Sequence, residues 1–113
     1  MALDENNYPD EQSLKQIANW DLRTQGIYAL LDLIRENTNW VDRQTEIKGK
    51  RVIRFAYHTG GWSGNEDVIE ALQHNTLFWS LFWQKSEKGG HYYFKISHPD
   101  WYPLEKKKVE NES

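Results

Sequence analysis

Four side chains in the second half of the chain have the types needed for acid–base or metal chemistry: His58, Glu66, Asp67 and His91. An imidazole beside a carboxylate can move a proton near neutral pH or ligate a divalent metal. His58 ends a stretch of alternating hydrophobicity, Glu66 and Asp67 open an apolar-periodic one, and His91 begins another. Neighbouring element ends could therefore bring the four together. The spacing does not demand it, because no H-x-x-x-H, H-E-x-x-H or D-x-D pattern occurs. Lone histidines at strand ends are more often structural or solvated. The residues call for no cofactor and no metal, and no catalytic residue is assigned.

Between His58 and those carboxylates runs the block Thr59-Gly60-Gly61-Trp62-Ser63-Gly64-Asn65-Glu66-Asp67. Glycines let the backbone take positive φ and approach a partner closely. A helix start offers free N–H groups and partial positive charge. Ser63 to Glu66 fits a capping box, with the serine hydroxyl and the glutamate each taking an orphan N–H. The block matches neither G-x-G-x-x-G nor G-x-x-x-x-G-K-[ST]. Glu66 and Asp67 would repel phosphate and suit a cationic or hydrogen-bond-donating ligand better. Two readings stand. One is a tight strand-to-helix connection with Trp62 folded back as a lid on the core. The other is a binding loop, Gly60 to Asn65, in which Trp62 supplies a gripping surface.

Aromatic residues make up 14% of the chain, including 6 Trp and 6 Tyr, far more than a disordered polymer carries. Trp and Tyr are also the types enriched at binding hot spots. Read as a strand, Phe78 to Trp83 projects Trp79, Leu81 and Trp83 to one side and Phe78 and Phe82 to the other. Burial of both sides makes it a central strand; one uncovered side makes a docking or homodimer surface. Lys48, Lys50, Arg51 and Arg54, with Lys85 and Lys88 and an exposed Tyr93, raise single-stranded nucleic-acid binding as a further possibility. A net charge of −3 and the lack of a basic stripe make nucleic acid an unfavoured partner.

The elements that position these residues follow from length and periodicity. A chain of 113 residues forms one domain, expected over 10–103, between a disordered N-terminus over 1–9 and a charged tail over 104–113 that includes Lys106, Lys107 and Lys108. There is no cysteine, which removes disulfides and thiolate chemistry. No signal-like or membrane-spanning run is seen, so the expected setting is soluble, cytoplasmic and without membrane contact.

Asp10 is a candidate cap for a helix to about Asn19, and Asp21 for a second in which Ile27, Leu30, Leu31 and Ile34 share one stripe, ended by Asn37-Thr38-Asn39. Trp40 to Gly49 reads as a connection. Ile53, Phe55 and Tyr57 alternate inward on a strand. Val68, Ile69 and Leu72 form the buried side of a helix with Asn75 as its C-cap. Leu77 to Lys85 is a short apolar run in which helix and strand are hard to separate. Aromatic enrichment favours a strand leading through Gly89-Gly90 into a return strand, His91 to Ser97. The expected fold is α+β: two N-terminal helices, then strand–helix–β-hairpin, giving a small antiparallel sheet with helices on one face.

The glycine block, the helix after it, Asn75, Phe78-Trp79, Trp83, Gly89-Gly90-His91-Tyr92 and Phe94 together resemble a family of small uncharacterised proteins from phages, prophages and bacteria. The resemblance runs from Arg54 to Ile96. It implies no established activity and so transfers no catalytic role. What it implies is a mobile-element accessory protein that binds a host or phage component. The resulting expectation is a non-enzymatic binding protein whose protein partner engages Gly60, Gly61, Trp62, Ser63, Gly64 and Asn65 with Trp83 and Tyr93. A small enzyme or ligand-binding protein using His58, Glu66, Asp67 and His91 is the alternative.

Overall fold

Asp10 stands where its carboxylate accepts the Ser13 N–H at 2.6 Å, and α1 (Glu11–Ala18) begins beside it. Asp21 likewise accepts from Arg23 N, but the helix it opens lasts one turn, α2 (Leu22–Gln25). Gly26 takes φ 82 and breaks the expected single helix. The apolar stripe then runs on α3 (Tyr28–Glu36), burying Leu30, Leu31 and Ile34. The computed structural model describes residue 3 and residues 8–102; the charged tail expected over 104–113 lies outside the described residues.

The stretch Trp40 to Gly49, expected as a connection, instead forms α4 (Val41–Gln44) and an edge strand, β1 (Thr45–Lys48). β1 pairs antiparallel with β2 (Val52–His58), whose alternation holds as read: Ile53, Phe55 and Tyr57 are buried. After α5 (Ser63–His74), the run expected to be a strand from Leu77 winds as α6 (Thr76–Phe82). Asn75 causes this. It closes α5 as its C-cap, and its side chain then caps α6 by accepting from Phe78 N at 3.1 Å. On a helix Phe78 and Phe82 are four apart and bury one common side, while Leu81 is left exposed. The aromatic preference for strands yields to that packing.

Only β3 (Trp83–Glu87) remains extended, and it pairs with β4 (His91–Ser97). The four strands lie in the order β1-β2-β4-β3, every pair antiparallel. The fold is α+β, with six α-helices among the described residues. Phe55, Phe94 and Phe78 meet at centroid distances of 5.5 and 5.3 Å between sheet and helices. Asn75 Nδ2 donates to Ile17 O and Trp20 O, tying the α5–α6 junction to the end of α1.

Candidate functional site

β2 ends in His58, and the chain must then reverse into α5. Gly60 and Gly61 do this with φ of 64 and 75, and Trp62 N donates to Thr59 O at 3.1 Å to close the turn. Thr59 N in turn donates to Gly90 O, fixing the turn against the β3–β4 hairpin. A Cβ on Gly90 would collide with Thr59 Oγ1, so the two glycine-rich turns fit only because Gly90 has no side chain.

The expected capping box does not form. Trp62, not Ser63, is the N-cap, and Ser63 lies one residue inside the helix, its Oγ bonded to the Tyr8 hydroxyl at 3.2 Å. The Trp62 indole packs on the Tyr8 ring at 5.0 Å. Pro9 and Tyr8 approach Gly64 so closely that a Cβ there would touch both. The start of α5 is thus covered by the N-terminal segment, with Trp62 half-buried beneath it. Asn65, 1% exposed, does the fastening. Its Oδ1 accepts from Asn39 N at 2.9 Å, and its Nδ2 donates to Asn39 O and Thr59 O at 3.2 and 3.1 Å.

That fastening sets the segment from Asn39 to Gln44 alongside the glycine block, with the Gln44 side chain against Gly60. Trp40 sits in this segment. Its backbone is left-handed at φ 56, an unfavourable region for a bulky residue, and its side chain is 62% exposed. Nothing in the sequence marks Trp40 out; the αL backbone is what identifies it.

Of the four acid–base candidates, the fold joins two. His58 and His91 are cross-strand partners, with Nδ1 atoms 2.8 Å apart. One nitrogen must donate and the other accept, so the pair carries a single proton along that line. The Glu46 carboxylate lies 3.6 Å from the other nitrogen of His58. Glu66 and Asp67 are exposed on α5. Asp67 borders a shallow depression between α1 and α5 with Glu11, Lys15 and His74, away from the histidine pair. Among the described residues no group of three or more His, Asp or Glu is arranged to hold a metal ion.

Trp83 and Tyr93 also part company. Trp83 is in register with the core residue Phe94 and stacks on Trp79 at 6.0 Å, on the helical side of the sheet. Tyr93 is in register with Ala56 on the opposite face, which no helix among the described residues covers. There Glu46, Ala56, Tyr93 and Lys85 form one row, flanked by a row of Lys48, Arg54 and Lys95. All of these but Lys95 line a groove of about 410 Å³. A hydrogen bond from Tyr93 to the Glu87 carboxylate is the main cause raising the phenol above its ordinary pKa, with burial and the charges of Glu87 and Glu46 adding to it. Reading Trp40 to Gly49 as a connection missed β1. Of the basic residues grouped from the sequence with an exposed Tyr93, however, the structure does bring Lys48, Arg54 and Lys85 to this face beside it. Comparison with family models, curated proteins and solved structures finds no match.

Proposed function

We propose that this chain is a non-enzymatic binding protein of the cytoplasm, whose protein partner docks on Trp40 and the adjoining glycine-rich loop that carries Trp62. The observation that carries this reading is Trp40 itself, a tryptophan at φ 56 with 62% of its surface in water. A left-handed backbone costs a residue with a Cβ about 1–2 kcal/mol. Glycine or asparagine would sit there at lower cost, and burial does not explain the indole. Strain held at an exposed aromatic fits a binding anchor, since tryptophan heads the residue types that dominate interface energies. Gly61, exposed and with open space where a Cβ would go, leaves the neighbouring backbone open to a partner. A shallow depression of about 310 Å³ between Trp40 and Arg43 offers a seat for a partner side chain.

In the mobile-element setting implied by the resemblance, the partner is a host or phage protein. No helix among the described residues is long and apolar enough to cross a membrane. Acid–base or metal chemistry by His58, Glu66, Asp67 and His91 as one set draws no support from their separate positions.

The test is parallel capture from host lysate by wild type, Trp40→Gly and Trp62→Ala, with sedimentation of the purified chain alone. Trp40→Gly keeps the left-handed backbone and removes only the ring. Loss of one captured protein in Trp40→Gly supports the reading. Equal capture by wild type and Trp40→Gly overturns it, and a dimer that Trp40→Gly dissociates would make the partner a second copy.

A further inference from the structure

The uncovered face of the sheet carries an arrangement that folding alone does not favour. Lys48 is directly opposite Arg54, and Arg54 directly opposite Lys95, so three cations stand in one row across β1, β2 and β4. Like charges at directly opposed positions destabilise a sheet. Lys85 stands in the neighbouring row and lines the same groove as Lys48 and Arg54. Among the described residues none of these four cations has a carboxylate partner. The two carboxylates of this face lie outside the cation row, Glu46 beside His58 and Glu87 near the Tyr93 hydroxyl, and neither forms an ion pair with it. Positive charge is therefore concentrated in one row without ion pairs, in a chain whose net charge is −3.

We propose that this row is a second docking site, for an acidic segment of a protein partner whose carboxylates lie across Lys48, Arg54 and Lys95. Charge complementarity selects the occupant. Three adjacent strands span roughly 10 Å, which calls for about three carboxylates within that length. Carboxylates three and four residues apart on a helix stand about 5–6 Å from one another, close to the spacing between strands. Bidentate pairing of the Arg54 guanidinium fixes the central one.

Single-stranded nucleic acid fits the face less well. Base stacking needs open aromatic rings in succession. Tyr93 is the single aromatic in the two groove rows, and the Lys85 ammonium already lies 4.9 Å from its ring centroid. Glu46 and Glu87 would repel a phosphate chain continuing along the strands.

The experiment titrates wild type, Arg54→Glu and Lys15→Glu with fluorescein-labelled oligoglutamate and oligothymidylate at low and physiological salt. Wild type is expected to bind oligoglutamate with an affinity that falls about tenfold on raising the salt. Arg54→Glu should lose a further tenfold or more. The same variant should melt higher than wild type, because glutamate there pairs with Lys48 and Lys95; a misfolded variant would melt lower. Lys15→Glu, which removes an equal charge from α1, should bind as wild type does. Three results overturn the proposal: no oligoglutamate binding at low salt, equal binding by Arg54→Glu, or tighter binding of oligothymidylate than of oligoglutamate.

Discussion

Asn65 holds Asn39 by both of its backbone polar groups, accepting from its N–H at 2.9 Å and donating to its carbonyl at 3.2 Å. A third bond, to Thr59 O, makes one buried amide the joint between the end of α3, the end of β2 and the start of α5. Removing it leaves buried backbone groups without partners, each costing about 1–3 kcal/mol. Asn65→Ala should lose about 3 kcal/mol of stability in urea titration. Asn65→Asp should be at least as damaging, since a carboxylate would face two carbonyls with no N–H to offer.

The tyrosine hydroxyl of Tyr57 is buried and 2.9 Å from Thr38 Oγ1. Burial pushes its pKa upward, with the Thr38 bond opposing weakly. A folded pKa above the unfolded one gives stability that is complete below the unfolded value, about 10, and lost as pH rises beyond it. Alkaline unfolding should therefore steepen above that pH in wild type. Tyr57→Phe should flatten the curve there while costing about 1 kcal/mol at neutral pH, because Thr38 keeps its bond to Ile34 O.

The glycines of the two turns should separate by what surrounds them. Gly61 has open space where a Cβ would go, so Gly61→Ala should cost only the left-handed backbone, about 1 kcal/mol. Gly90 adds a collision with Thr59 Oγ1 to the same backbone cost. Gly90→Ala should be clearly the worse of the two in thermal melts, and Gly90→Ala with Thr59→Gly should recover part of the loss.

Arg54 sits between Lys48 and Lys95, so relieving the repulsion should stabilise the free protein. Arg54→Gln is expected to gain about 0.5–1 kcal/mol at low salt. The gain should shrink at high salt, where the Debye length falls to about 3 Å at 1 M. A salt-independent gain would point to packing instead of charge.

Periodicity revealed the elements whose apolar residues repeat over enough length. Ile53, Phe55 and Tyr57 declare β2, and Leu30, Leu31 and Ile34 declare α3, because one face of each is wholly buried. Phe78 to Trp83 did not declare itself, since a short aromatic run suits either conformation until its packing partner is known. The deciding residue was Asn75, whose side chain reaches Phe78 N and starts a new helix. β1 is four residues long with its apolar Ile47 exposed, so its alternation carries no burial signal. The features of the candidate sites were harder still. Trp40 stands out through its φ, and the cation row exists only once the register of three strands is known.

The strand order carries one more consequence. β2 and β4 are the two central strands, yet the facing residues His58 and His91 are 33 positions apart, with α5 and α6 between them. Closing so long a loop is entropically slow compared with making either flanking hairpin. A break at Gly60–Gly61 would leave β1–β2 on one fragment and β3–β4 on the other, each with one unpaired central strand. Mixing the fragments would then rebuild the sheet along a single seam, so this small domain has the topology of a split reporter whose halves signal only when brought together.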